Sequence, residues 1–313
     1  MLNKKKLSPL KRNSLIIFLV LFLAGTLFLL FKSSNKKQII HNSFNKVDVN
    51  CRELTKGLGC LLDNNRLSKE SIYKFGISGG GPTDTSNFKM LSSYSLEEYL
   101  PEIGDQGDVG SCVGWATTYY GFTIVKRIKY GKNYPVFSPL SVFNRYAYQN
   151  GTDPCSQGAY IDECLKLLSY KGCPFEKNYE KPYCSVDQNQ KKYKDCLSRY
   201  ERLQHNNAKQ LKMALTNNNP VIIAINVFSG GKGNNLNTKF LDTNGVLRME
   251  NFRNNPNRVG GHALCIVGYD DNIAGGVFKI ANSWGKEWGK NGFFWLRYSD
   301  LYIVNCAYAM FTE

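Results

Sequence analysis

Residues 106–128 read QGDVGSCVGWATTYYGFTIVKRI, and this stretch decides how the rest of the chain is read. Cys112 stands where a Gly-containing loop gives way to an apolar run over residues 113–128. Val113, Trp115, Ala116, Tyr119, Phe122, Ile124, Val125 and Ile128 are apolar nearly all round, so the run predicts a helix buried on most faces. A thiol at a helix start meets free N–H groups and the positive end of the helix dipole. Both stabilise the thiolate, which is the nucleophilic form of the side chain. The glycines let the backbone approach a bound chain closely, and Gln106 supplies a neutral donor upstream.

A thiol nucleophile needs a base, and the chain has three histidines. His41 lies in a polar segment and His205 in Leu-Gln-His-Asn-Asn, a solvated approach to a helix. His262 alone follows two glycines, Gly260 and Gly261, and opens an apolar strand. An imidazole beside a thiol takes its proton to give a thiolate–imidazolium pair. That base needs a third group to fix its ring, which the side-chain oxygen of Asn282 can supply, with Trp284 shielding the contact. Taken singly, Cys112 reads as structural, Asn282 as a turn residue and Gln106 as a surface amide. Their joint occurrence, each in its own local setting, points to nucleophilic catalysis.

These residues resemble the papain-like cysteine peptidases. The likeness runs through Gln106-Gly107, Gly110-Ser111-Cys112, Gly261-His262-Ala263, Val267-Gly268-Tyr269 and Asn282-Ser283-Trp284-Gly285, then Trp288-Gly289 and Asn291-Gly292. Leu100-Pro101 and Tyr179-x-x-Pro182-Tyr183 are softer echoes. It covers about residues 88–313 and is closest in pattern to bacterial members. The resemblance implies an α+β fold of two subdomains, a helical one carrying Cys112 and a β-rich one carrying His262 and Asn282, with the active-site cleft between them. It implies that Cys112, His262 and Asn282 are catalytic, that Gln106 and the Cys112 N–H form the oxyanion hole, and that Gly261, Ser283 and Trp284 support them. Neither metal nor organic cofactor is implied. Two departures stand out. Val109 replaces the family's cysteine three positions before the nucleophile, so the usual partner, resembling Cys155, must be free or re-paired. Val113 replaces the aromatic that commonly follows the nucleophile.

Helices are expected at residues 138–148, with Ser138 as N-cap and Pro139 at the first position, at 159–171 up to Gly172, and at 207–217. Strands are expected at 221–227, 263–269, 277–281 and 293–298, with a hairpin around 242–245. Helices first and strands later agree with the two-subdomain reading.

The 313 residues carry a formal net charge of +15, of which residues 1–37 hold eight Lys or Arg and no Asp or Glu. The remaining +7 suits a soluble domain near an anionic surface, and no zinc-finger spacing or basic–aromatic block argues for nucleic acid. Residues 14–31, SLIIFLVLFLAGTLFLLF, contain no charge, which fits a membrane-spanning signal-anchor flanked by lysines. The organisation expected is a cytoplasmic basic tail at 1–13, a transmembrane helix at 14–31, an extracytoplasmic linker or short prosegment at 32–87 and a peptidase domain at 88–313. Cleavage of the anchor, giving a secreted protein, is the alternative. Residues 32–87 show no long charged helical pattern of an inhibitory prosegment, although residues 46–82 could cover the cleft.

Ten cysteines suit an oxidising compartment. With Cys112 as nucleophile and Cys265 as a small core residue, eight are left for bridges, Cys51 with Cys60 among them. The expected activity is hydrolysis of peptide bonds in protein or peptide substrates through an acyl-enzyme. The alternatives are a transpeptidase or acyl transferase on the same site, and a silent surface binding protein.

Overall fold

The run after Cys112 does form the central helix of the protein. A computed structural model describes residues 58–62, 90–179, 184–189, 191–230, 233–250, 252 and 257–311. These all lie within one compact unit, residues 53–313. The expected tail and membrane-spanning helix, residues 1–31, lie outside the described residues. Among the described residues no helix is long and apolar enough to cross a membrane.

Helix α1 is continuous from Cys112–Gly114 through a widened, π-type stretch, Trp115–Phe122, into Thr123–Tyr130. The Thr117 and Thr118 hydroxyls donate to the carbonyls of Val113 (2.6 Å) and Gly114 (2.5 Å). Such bonds compete with the backbone ladder, and π-type turns occur where it is locally rearranged. Every residue from Cys112 to Val125 is buried. Helix α2, Pro139–Asn150, ends on Gly151 in the left-handed conformation, and α3, Ile161–Lys171, ends on Gly172. Ser138 precedes α2, but its side chain makes no capping bond. Helix α4, Ala208–Thr216, is capped by the Asn207 side chain, which accepts from the Gln210 N–H.

The strands are β1 Ser93–Ser95, β2 Arg199–Leu203, β3 Val221–Gly230, β4 Gly233–Asn234, β5 Asn257–Asp270, β6 Val277–Ala281, β7 Phe293–Arg297 and β8 Val304–Phe311. They form one sheet in the order β2-β8-β3-β5-β6-β7, with β1 added to β5 and β4 to β3. All named pairings are antiparallel. Strand β5 starts well before residue 263, because residues 257–262 pair with the end of β3 and place His262 opposite Ile225. The expected hairpin is present: Asp242 and Val246 bond across a turn in which Gly245 has φ 83°. This is a papain-like α+β fold. Its core joins one face of the sheet to α1, where the Ile222 and Met310 side chains pack against Gly121.

The cysteines depart from expectation. Among the described residues one disulfide joins Cys155 to Cys184, so Cys155 is re-paired, while Cys60, Cys164, Cys173 and Cys196 carry none; Cys265 is unpaired as expected. Cys60 therefore does not pair with Cys51, which lies outside the described residues. Cys164, Cys173 and Cys265 are buried among apolar neighbours and act as small core residues.

Candidate active site

Two sequence-distant pieces of chain are tied together beneath α1. The Tyr120 hydroxyl on α1 donates to the Asn282 carbonyl (2.8 Å) and accepts from the Gly104 N–H (3.1 Å). Nearby, the Gln106 N–H donates to the Ser283 carbonyl (2.8 Å) and the Gly285 N–H to the Gly104 carbonyl (3.0 Å). These bonds lock the loop before the nucleophile to the loop after β6. Tyr120 was not singled out from the sequence, where it reads as one more apolar helix position.

Cys112, His262 and Asn282 converge, each with 0% of its surface exposed. The Ala263 N–H, one residue after His262, donates to the Cys112 sulfur (3.4 Å). Backbone N–H groups of Cys112 and Val113 at the start of α1 also point at that sulfur. His262 Nε2 lies 2.8 Å from Asn282 Oδ1, which in turn accepts from the Ser283 N–H (2.8 Å). Because Asn282 Oδ1 is an acceptor, Nε2 carries the proton when the ring is neutral, and Nδ1 is then a bare base. That Nδ1 is buried and has no hydrogen-bond partner. The Trp284 ring packs over the imidazole at a centroid distance of 4.6 Å, with Trp288 edge-on behind it at 5.5 Å.

Gln106 is 1% exposed. Its Oε1 accepts from the Ser283 hydroxyl (2.5 Å) and its Nε2 donates to the Val109 carbonyl (2.8 Å), which aims the amide nitrogen toward the nucleophile loop. The Ser283 hydroxyl thus holds the Gln106 side chain, while at Gly261 a Cβ would come within 2.3 Å of the Cys60 carbonyl oxygen. His205 lies away from this cluster, on the approach to α4.

A further piece narrows the expectation that residues 46–82 could cover the cleft. Residues 58–62, Leu-Gly-Cys-Leu-Leu, run directly over the site. The Cys60 N–H donates to the Gly261 carbonyl (3.1 Å), the Leu61 N–H to the Ala159 carbonyl (3.0 Å), and the Ala159 N–H to the Gly59 carbonyl (2.8 Å). Cys60 and Ala159 form a parallel bridge. The Gly59 N–H points at the Cys112 sulfur. The fit depends on missing side chains: a Cβ on Gly59 would come within 1.7 Å of the Gly110 carbonyl oxygen, and one on Gly158 within 1.7 Å of the Gly59 oxygen. The sequence signal was an apolar island inside an otherwise polar segment.

With the cover in place the two reactive groups are neutral. Burial pushes the Cys112 thiol up to about 11, against the opposing pull of the N–H groups of Ala263 and Gly59. Burial likewise takes His262 down to about 4, with the Asn282 hydrogen bond opposing it. The expected thiolate–imidazolium pair is therefore not the state of the covered site, because two charges would have to form without water.

Comparison with known proteins agrees with the geometry. Residues 93–311 match the papain family cysteine protease model, and the chain belongs to that family. It is 28% identical over 239 residues to an uncharacterized peptidase C1-like protein of Acanthamoeba polyphaga mimivirus, covering 70% of this chain and 71% of that one. It is 28% identical to cysteine proteinase 3 of Entamoeba histolytica, covering 69% and 67% of the two chains. Among solved structures, xylellain, a cysteine protease from Xylella fastidiosa, superposes with a TM-score of 0.62 at 21% identity, covering 83% of this chain and 98% of that one. The procathepsin B S9 of Trypanosoma congolense superposes with a TM-score of 0.61 at 15% identity, covering 85% and 89%. Relatives of such different origins single out no bacterial type. The protein is a cysteine peptidase, a hydrolase acting on protein or peptide substrates, and nothing favours the transferase or silent-binder alternatives.

Proposed function

We propose that Cys112 is the nucleophile of this peptidase, His262 its base, Asn282 the group that holds the imidazole, and Gln106 with the Cys112 N–H the oxyanion hole. The observation that carries the reading is the convergence on one sulfur. The strand bearing His262 donates to it through Ala263 at 3.4 Å, while Asn282 fixes Nε2 at 2.8 Å and leaves Nδ1 as a base. In the open site Nδ1 takes the thiol proton and the thiolate attacks the scissile carbonyl. Charge developing on that oxygen is met by the amide N–H groups, and the imidazolium then protonates the leaving amine. Water, deprotonated by His262, hydrolyses the acyl-enzyme.

Residues 58–62 are read as a cover that keeps the enzyme latent, since a substrate carbonyl and the Gly59–Cys60 backbone cannot occupy one place. The test is cleavage of a mixed peptide library by the reduced protein after the cover has been removed, beside Cys112→Ala. Comparable cleavage by the variant would refute the assignment. The uncharged run at 14–31 and the Cys155–Cys184 disulfide support a membrane-anchored enzyme whose catalytic domain faces out of the cytoplasm. Protease shaving of intact cells that leaves the domain untouched would overturn this placement.

A further inference from the structure

The cover carries a cysteine of its own at the place where it meets the nucleophile. Cys60 is 5% exposed and free, as is Cys112, which has no exposed surface. The Ala263 N–H donates to the Cys112 sulfur (3.4 Å), and the Cys60 N–H donates to the carbonyl of Gly261 (3.1 Å), two residues earlier on the same edge of β5. Two residues along an extended strand span roughly 6.6 Å, so the backbone of Cys60 is held about that far along the edge from the contact with the sulfur. His262 stands between these two contacts on β5, and its Nδ1 is buried with no hydrogen-bond partner.

We propose that Cys60 and Cys112 form a reversible disulfide, which fastens the cover covalently over the nucleophile in an oxidising environment and releases it on reduction. The inference rests on the reading of Cys112 as the nucleophile and adds a redox control to it. The oxidant is a low-molecular-weight disulfide. When the cover is lifted, the Cys112 thiolate attacks one sulfur of that disulfide, forming a mixed disulfide and expelling one small thiolate, which takes up the proton lost by Cys112. When the cover reseats, Nδ1 of His262 removes the Cys60 proton and the Cys60 sulfur attacks the Cys112 sulfur. The second small thiol leaves with that proton. Two protein thiols are oxidised and one small disulfide is reduced to two thiols. The geometry needed is a Cα separation of roughly 4–7 Å, within reach of a segment held by three backbone hydrogen bonds. The lock also gives Cys112 a protected oxidation state, since a sulfur in a disulfide is kept from the irreversible acids that an exposed thiolate forms.

The test uses the full chain incubated with oxidised glutathione, alkylated, digested without reduction and mapped by mass spectrometry. The expected result is a Cys60-peptide joined to the Cys112-peptide, lost on adding dithiothreitol. In Cys60→Ser the same treatment should leave glutathione on Cys112, and at least tenfold less dithiothreitol should restore iodoacetamide labelling of Cys112 than in the wild type. Reduced Cys60→Ser should keep the wild-type circular dichroism spectrum, which separates loss of the link from loss of the fold. Glutathione on Cys112 of the wild type with Cys60 unlinked, or Cys60 joined to Cys164 or Cys306, would overturn the proposal. The mapping reads sulfur connectivity and not turnover, so failure of the peptidase mechanism would show separately as inactivity of the reduced, uncovered protein.

Discussion

Acidification should lift the cover, and the size of the effect follows from His262. Its ring is held neutral because burial drives its pKa from 6.5 to about 4. A group with a depressed value in the covered state stabilises that state fully above its ordinary value. The contribution is lost as the pH falls from 6.5 toward 4, because the open state then binds a proton that the covered state does not. The difference between 6.5 and about 4 sets a ceiling of about 3 kcal/mol, or on the order of a hundredfold in the open population at pH 4, because Trp284 and Asn282 stay against the ring when the cover lifts. Cys112 acts at the other end: its rise from 9.0 to about 11 means that the covered state loses stability above pH 9. The cover should therefore sit most firmly between roughly pH 6.5 and 9. Hydrogen exchange reads this directly, since the Cys60 and Leu61 amides donate to Gly261 and Ala159 only in the covered state. After correction for intrinsic rates, their protection should fall between pH 7 and pH 4, by up to about a hundredfold, while amides in β5 and β6 keep theirs. Equal protection at both pH values would refute the reasoning, and so would parallel loss in the sheet, which would report acid unfolding of the whole unit.

Other outcomes follow from the same geometry. Gly59→Ala places a Cβ within 1.7 Å of the Gly110 oxygen, a backbone atom that cannot swing away. This substitution should strip protection from Leu61 at neutral pH and raise the activity of the full chain, whereas a merely structural glycine would lower it. Asn282→Ala removes the acceptor 2.8 Å from His262 Nε2 and should lower kcat about a hundredfold with little change in KM, as steady-state kinetics would show. Replacing Cys155 and Cys184 together by Ser opens a link spanning 29 positions. That should cost about 3 kcal/mol of stability, measurable by denaturant titration, without altering the pH profile of the site.

What was legible in the sequence was local chemistry with a strong signature. Cys112, His262 and Asn282 each sit in a short string whose residue types constrain one another, and α1, α2, α3 and β6 follow from periodicity, Pro139, Gly151 and Gly172. What was missed depended on partners far along the chain. Strand β8 lies between β2 and β3 and is buried along nearly its whole length, so its sequence VNCAYAMF has no two-residue alternation to mark it. Strand β2, RYERL, is too charged to be recognised until β8 is beside it. The Cys155–Cys184 link is a matter of distance in space, and spacing alone does not supply it. The cover was legible only in part: residues 58–62 are an apolar island within the 46–82 stretch expected to reach the cleft, but where they dock depends on the Gly158 and Gly261 walls that receive them.

That segment is on the same chain as the cleft it fills, which makes it a tethered competitor. Joined to the domain through residues 63–89, it is present at an effective concentration of the order of millimolar, whatever the concentration of the enzyme. Dilution cannot release it, and crowding many copies together cannot strengthen it. A peptide substrate must outbid a local rival, so the cover raises the apparent KM by one plus the ratio of that effective concentration to the segment's own dissociation constant. The limiting rate at saturating substrate stays the same. Severing the chain anywhere in residues 63–89 turns the rival into an ordinary solute, and the inhibition then fades as the solution is diluted.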